Sequence, residues 1–450
     1  MALSNNKKEA TMEAYELIVI GFGKAGKTLA AKMAQLGKRV ALIEQSPTMY
    51  GGTCINIGCI PTKALITAAE HNASFADAMA HKDTVVHRLR QKNEQLLAQS
   101  GVTLYNGKAS FVSNKTIQVE AGQEQILLEG KHIVINTGAV SNRFPIPGLA
   151  DSQHVVDSTG ILALTEQPLR LAIIGAGNIG LEFASLYASL GSEVTMYEAA
   201  PAILGRYEPV VAELAQDYLE KAGVTFKLSA TVELIANDEA GRVLVTANGK
   251  TEAFDCLLYA MGRKPATQGL GLENTDIKLD DRYAVVVDDY CQTTVEGVYA
   301  VGDVNGGPQF TYTSLDDFRI VFGQLTGTSQ YNHKDRGYLP TTVFIEPPLS
   351  QIGLTEKEAK EQGLPYKANE LLVANMPRAH VNNDLRGIFK VIVNTETNEI
   401  LGATLFANNS HEYINLIKMA MDNQIPYTYL KNQLFTHPSM AENLNDVFNL

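Results

Sequence analysis

Tyr15-Glu-Leu-Ile-Val-Ile20 runs straight into Gly21-Phe-Gly-Lys-Ala-Gly26, and this junction decides the fold. The six residues read as a buried parallel strand. Past the glycines, Thr28 to Leu36 is alanine-rich and reads as a helix, and Arg39 to Ile43 reads as a second strand closed by Glu44. Strand, glycine turn, helix, strand and acid in that order make one dinucleotide-binding unit. Gly21, Gly23 and Gly26 permit the tight turn and let a pyrophosphate approach the helix N-terminus. Glu44 lies 18 residues past Gly26, where a carboxylate accepts hydrogen bonds from a ribose diol. Lys24 and Lys27 are expected on the solvated helix face, with phosphate contact as the alternative.

The pattern recurs. Leu171–Ile174 is a strand, Gly175-Ala-Gly-Asn-Ile-Gly180 the turn, Leu181–Leu190 a helix, and Glu193–Tyr197 the next strand, closed by Glu198. Two such units imply two dinucleotides and an α/β fold. Glu198, with no arginine in the next few residues, leans towards NADH over NADPH, while Arg206 leaves that open. Gly262 and Arg263, after the strand Cys256–Ala260, are expected to wall the second site.

Between the units, Gly51-Gly-Thr-Cys-Ile-Asn-Ile-Gly-Cys-Ile-Pro-Thr-Lys63 carries Cys54 and Cys59 with four residues between them. A cysteine at a helix N-terminus meets a positive dipole and free N–H donors, which favour its thiolate. Two thiols this close can cycle between dithiol and disulfide. A metal site would want further ligands at standard spacings, and no second CxxC or histidine cluster follows. Cys256 and Cys291 stand alone in apolar, strand-like sequence and read as core.

The chain has 450 residues, 45% hydrophobic and 19% charged, with a net charge of −12. It is long enough for about three domains. The acidity argues against nucleic acid and anionic membrane as partners. No apolar run reaches about 18 residues and no signal peptide precedes the first strand, so a cytoplasmic protein is expected. Met1 to Glu13 is polar and reads as a disordered tail. Two helices are expected over 64–100, short strands over 102–129, and a strand at His132–Asn136 that ends in Thr137-Gly138, where backbone can lie against a cofactor. Val285–Val287 and Gly297–Val301 read as strands, the latter closed by Gly302-Asp303. Beyond Thr341, strands at 343–345, 389–393 and 400–405 and helices at 356–362 and 411–423 suggest a separate α+β domain. Glu442 follows His437 by five residues, and a carboxylate-fixed histidine is a usable acid–base pair.

These motifs together resemble the flavoprotein disulfide reductases, such as lipoamide dehydrogenase, glutathione reductase and mercuric reductase. The resemblance rests on GGTCINIGCIPTK (51–63), the two glycine turns in order, TTVEGVYAVGD (293–303) and HPSMAE (437–442), and spans residues 15–450. It implies an FAD domain (14–155 with 285–336), an NAD(P)H domain (156–284) and a C-terminal dimerisation domain (337–450) of a homodimer. FAD is then bound by Gly21, Gly23, Gly26, Glu44, Gly52, Thr53, Lys63, Thr137, Gly138 and Asp303, and NADH or NADPH by Gly175, Gly177, Gly180, Glu198 and Gly262. Lys63 and Glu182 resemble the family's ion pair beside the flavin. By the same resemblance Cys59 faces the flavin, Cys54 is the interchange thiol, and His437, contributed across the dimer and oriented by Glu442, moves the proton.

Within the family, the C-terminal vicinal cysteines of mercuric reductase are absent, since the chain ends Asp446-Val-Phe-Asn-Leu450. The stretches 20–30, 49–63 and 308–321 resemble bacterial flavoproteins that defend against reactive chlorine species, described as hypothiocyanous acid reductases and copper(II) reductases. The expected substrate is therefore a small oxidant, hypothiocyanous acid first and Cu(II) second. Dihydrolipoamide dehydrogenase or a low-molecular-weight disulfide reductase is the alternative.

Overall fold

The computed structural model describes residues 12–450. Of the tail expected at 1–13, residues 1–11 lie outside the described residues. Met12 and Glu13 instead begin a strand, Met12–Ile20, in register with Leu127 and Leu128.

Two compact units result. The first contains the described residues up to Leu65, then Ala78–Asn142 and Gly262–Arg336. Its seven-stranded sheet runs Thr103–Asn106, Val40–Glu44, Met12–Ile20, Glu124–Ile135, Thr116–Ala121, Lys108–Ser113, with Val298–Ala300 also pairing to Glu124–Ile135. The central strand is buried on both faces by simple alternation. Leu17 and Val19 join Leu29 and Met33 of the helix Lys24–Gln35, while Ile18 and Ile20 join Phe111, Ile117 and Ile133. A strand covered on both sides needs the near-continuous apolar run that the sequence has there.

Several boundaries differ from the sequence reading. The first helix starts at Lys24 because Gly23, extended at φ −72° and ψ 176°, is its N-cap, so Gly26 sits inside the first turn. The strand expected at 132–136 is the end of one long strand, Glu124–Ile135. No strand forms at 285–287, where Val285 makes a single bridge to Leu279. Residues 262–284 belong to this first unit, since Leu270, Leu272 and Ile277 bury against Phe111 and Ile117.

The second unit contains Ile66–Asp77, Arg143–Met261 and Gly337–Leu450. A five-stranded parallel sheet runs Val224–Lys227, Glu193–Tyr197, Arg170–Ile174, Cys256–Tyr259, Val155–Val156, with the helix Asn178–Ser189 following its third strand. An antiparallel meander spans Val232–Phe254. A separate five-stranded antiparallel sheet orders Thr341–Val343, Leu349–Gly353, Ile400–Phe406, Ile388–Asn394, Tyr366–Leu372. The strand read at 343–345 thus ends at Val343, ahead of Pro347 and Pro348, which cannot donate to a ladder. Among the described residues no helix is long and apolar enough to cross a membrane.

One buried side chain ties the first glycine turn to the sheet. Asn136, 6% exposed, accepts from Gly26 N–H (2.9 Å) and donates from Nδ2 to the Val301 carbonyl (2.9 Å). Asn136→Ala strands both groups, costing about 2 kcal/mol, or roughly 30-fold in local opening. Hydrogen exchange should rise by that factor in the peptide holding Gly26 and stay unchanged in Arg170–Ile174. Equal protection in mutant and parent would refute the role given to the amide.

Candidate active site

The cysteine loop is a sequence of forced turns. Gly51 and Gly52 have φ of +98° and +81°, and Gly52 pairs this with ψ −174°, a conformation open essentially to glycine alone. A Cβ on Gly52 would stand 2.7 Å from the Gly23 Cα, so the loop lies backbone to backbone on the first glycine turn. Asn56 then locks it, donating to the carbonyls of Tyr50 (3.0 Å) and Gly52 (2.9 Å) and accepting from Arg90 Nε (2.8 Å). Cys54 lies in the short helix Thr53–Asn56 and Cys59 opens the helix Cys59–Glu70.

Neither cysteine is bridged by a disulfide; Cys54 is half-buried and Cys59 exposed. Cys59 Sγ lies 3.8 Å from Thr311 Oγ1. The Cys54 thiol is pushed up, first by its hydrogen bond to Cys59 and then by burial, with Thr311 and Lys27 pulling the other way. The expected favouring of its thiolate by a helix N-terminus is therefore outweighed in the two-thiol form. A helix of four residues has little dipole to offer, and a paired thiol resists becoming an anion beside its neighbour.

The two glycine turns are built alike. Gly21 (φ +102°) presses on the Asn136 carbonyl and Gly175 (φ +99°) on that of Ala260, so closely that a Cβ at either glycine would stand only 2.4 or 2.7 Å from that oxygen. Glu44 accepts from Phe22 N–H (3.0 Å) and Ser46 N–H (3.1 Å), and Glu198 from Ala176 N–H (2.7 Å) and Ala200 N–H (2.8 Å). Each acid is thus clamped at the lip of its turn. Burial pushes the Glu44 carboxyl up, against three backbone N–H groups that pull it down. Gly26 and Gly180 pack tightly at 2.7 and 2.0 Å, whereas a Cβ on Gly177 meets nothing within 4 Å. A glycine N-cap offers no side chain to the first-turn N–H groups, which suits an anion there, although in the first unit Asn136 takes that of Gly26. Both turns fit a dinucleotide.

Other expected residues are distributed as follows. Thr137 Oγ1 donates to the Ala266 carbonyl (2.8 Å), and the Gly138 carbonyl accepts from Ala266 N–H (2.9 Å). Asp303 lies in the turn Gly302–Asn305, where burial pushes its carboxyl up and Arg263 pulls it down. Gly262 belongs to the first unit, its carbonyl accepting from Asn142 N–H (2.9 Å), while Gly175, Gly177, Gly180 and Glu198 belong to the second. Lys63 is one turn past Cys59 on the same helix. Glu182, 7% exposed, accepts from Phe344 N–H at 3.0 Å. His437 Nδ1 is 2.9 Å from Glu442 Oε2, and the other oxygen, Oε1, accepts from Ser439 N–H (3.1 Å). His437 is 71% exposed.

Three features escaped the sequence. Asn136 read only as a strand end. Lys27 is not on a solvated face but donates to Asn93 Oδ1 (2.5 Å) and the Gly51 carbonyl (3.5 Å). Cys291 is buried, as expected of core, yet its sulfur lies 3.2 Å from His333 Nε2, itself 3.1 Å from Asp317 Oδ1. Arg336 donates to the same oxygen (2.5 Å), so the carboxylate's charge is already matched.

Comparison with known proteins gives a consistent picture. The family model described as pyridine nucleotide-disulphide oxidoreductase matches residues 15–317, and that of the family's dimerisation domain matches 339–448. The chain is 47% identical over 440 residues to the probable pyridine nucleotide-disulfide oxidoreductase RclA of Escherichia coli K12, covering 98% of this chain and all of that one. It is 32% identical to a mercuric reductase of Staphylococcus aureus (96% and 81% covered) and 31% identical to a dihydrolipoyl dehydrogenase of Chlamydia muridarum (96% and 95%). Among solved structures, the HOCl-induced flavoprotein disulfide reductase RclA from E. coli superposes with a TM-score of 0.94, at 47% identity, covering 97% of this chain and 100% of that one. Its Cu(II) complex gives 0.95, at the same identity, with 97% and 99% covered.

The contact at Gly52 can be separated from simple backbone strain. Gly37 also has positive φ, +78°, but a Cβ there meets nothing within 4 Å. Gly37→Ala should cost about 1 kcal/mol and Gly52→Ala about 2–4 kcal/mol. Thermal unfolding of the two variants compares them; equal losses would remove the close approach from the account.

Proposed function

The chain belongs to the pyridine nucleotide-disulphide oxidoreductase family, and from that premise we infer that Cys54 and Cys59 form its redox pair and act on a small oxidant, hypothiocyanous acid. In class it is a flavoprotein disulfide reductase, and the family works with FAD and NAD(P)H. The observation that carries the reading is the backbone packing of the cysteine loop on the first glycine turn, so close that a Cβ on Gly52 would stand 2.7 Å from the Gly23 Cα, which puts two thiols beside a dinucleotide cradle.

In this reading the first turn, with Glu44, Gly52, Thr53, Lys63, Thr137, Gly138 and Asp303, holds FAD, and the second turn, with Glu198 and Gly262, holds the nicotinamide dinucleotide. Bound FAD supplies the two-electron relay between a nicotinamide hydride and the cysteine pair. Glu198 favours NADH, because a carboxylate at the ribose repels a 2′-phosphate. Lys63 and Glu182 carry the charges of the family's ion pair. Cys59 stands on the cofactor side and Cys54 faces the substrate.

The Cys54 thiolate attacks the electrophilic sulfur of hypothiocyanous acid. An S–S bond forms to give a sulfenyl thiocyanate, and hydroxide leaves, taking a proton from His437. The Cys59 thiolate then attacks Cys54 Sγ, expels thiocyanate and leaves the disulfide, so the oxidant gains two electrons. Glu442 holds His437 by Nδ1 and leaves Nε2 for the proton. The exposure of His437 suits service to the partner chain of a homodimer, and a chain with only four cysteines suits a reducing cytoplasm. The 47% identity to the HOCl-induced reductase, against 31% to a dihydrolipoyl dehydrogenase, supports this branch over dihydrolipoamide or another disulfide. Cu(II), captured with that relative, is the second acceptor considered.

The test follows NADH and NADPH consumption with hypothiocyanous acid, lipoamide, glutathione disulfide and Cu(II). Hypothiocyanous acid with NADH should give the highest kcat/KM, and Cys54→Ser should abolish it. An unchanged rate in Cys54→Ser, or faster turnover with lipoamide, would overturn the proposal.

A further inference from the structure

Lys27 is left unexplained by dinucleotide binding. It follows the third glycine, in the first turn of the helix Lys24–Gln35, and its ammonium is part-buried. It donates to Asn93 Oδ1 at 2.5 Å and to the Gly51 carbonyl at 3.5 Å. Gly51 opens the loop that carries Cys54 three residues later. Asn93 packs on that same glycine, its Cγ 3.4 Å from where a Cβ would stand. Three segments therefore meet at one nitrogen: the first glycine turn, the cysteine loop and the helix Phe75–Gln99. Both acceptors are neutral, so neither cancels the charge.

We propose that Lys27 is a positioning residue of the redox pair: its ammonium, fixed on Gly51 and Asn93, is the cation that stabilises Cys54 as the attacking thiolate. The proposal rests on Cys54 being the interchange thiol. The ionisable groups acting on Lys27 are Lys24 and Cys54, and those acting on Cys54 are Cys59 and Lys27. Burial, helped by Lys24, lowers the Lys27 pKa to about 8, and Cys54 pulls it back up. The amine is thus charged at neutral pH, and a growing thiolate holds the proton on it more firmly. The effect is present below that pKa and fades above it unless the thiolate has formed. Such help is needed because Cys59 and burial both oppose ionisation of Cys54. His437 lies in the other unit, whereas Lys27 acts within the one that holds the cysteines.

The experiment measures the pH midpoint of Cys54 alkylation by iodoacetamide in FAD-loaded protein carrying Cys59→Ser, with peptide mass spectrometry as the readout. Lys27→Met should raise the midpoint by about one unit, slowing alkylation about tenfold at pH 7, and Lys27→Arg should keep the parent midpoint. Flavin content is read in each variant; should Lys27→Met lose FAD, Lys27→Gln, which can still bond Asn93, replaces it. A neutral variant that titrates like the parent, or Lys27→Arg titrating like Lys27→Met, overturns the proposal. The assay needs neither turnover nor oxidant, so a failure of the reductase reading would show in NADH consumption and not here.

Discussion

Two glycine backbones in contact hold this site together. Gly23 caps the first helix and Gly52 turns the cysteine loop, and no side chain fits between them. From that contact follow the position of Cys54, two residues on, and of Cys59 at the head of the next helix. The helix Phe75–Gln99 braces the loop from outside through Arg90 on Asn56 and Asn93 on Lys27. The two cysteines proposed as the redox pair are thereby braced rigidly against the first glycine turn. Chemistry that passes electrons between a ring and two sulfurs needs that rigidity, because reacting atoms must be held near contact distance.

The two cradles share their strand, turn, helix and acid but differ in packing. In the first, Asn136 fills the space beneath the turn, bonding Gly26 and the carbonyl of Val301. In the second, Gly177 opens onto free space, and the Tyr197 carbonyl and the Glu198 side chain tie the turn to its strand end. A braced cradle suits a cofactor that stays, and an open one suits a nucleotide that must enter and leave at each turnover.

Much of this was legible in the sequence because it depends on local rules. Strand alternation, positive-φ glycines and the cysteine spacing can each be read within a few residues. What was missed depends on contacts made far along the chain. Asn136 acts on residues 110 and 165 positions away. Lys27 looks like any helix-surface cation until Asn93, 66 residues later, folds over it. The valines at 285–287 have strand propensity, but only one bridge forms, since Val285 turns into the core and Val286 is 40% exposed. Tyr366–Leu372 alternates too weakly to announce itself, as befits an edge strand with half-covered residues. Past Gly262 and Arg263 the stretch to 284 carries no motif, and distant contacts assign it to the first unit: Arg263–Pro265 pairs with Ala139–Ser141, and Leu270 and Leu272 bury against Phe111.

The central claim is that the sulfurs at 54 and 59 exchange an electron pair with bound FAD. Anaerobic titration of the FAD-loaded protein with NADH tests it most directly. In the parent, two-electron reduction should bring up a long-wavelength thiolate-to-flavin absorbance band; in Cys54→Ser, where Cys59 has no disulfide partner, the band should stand before NADH is added and fade as the flavin is reduced, and in Cys59→Ser it should never form. A band that survives the loss of Cys59, or that never forms in the parent protein, would contradict the account.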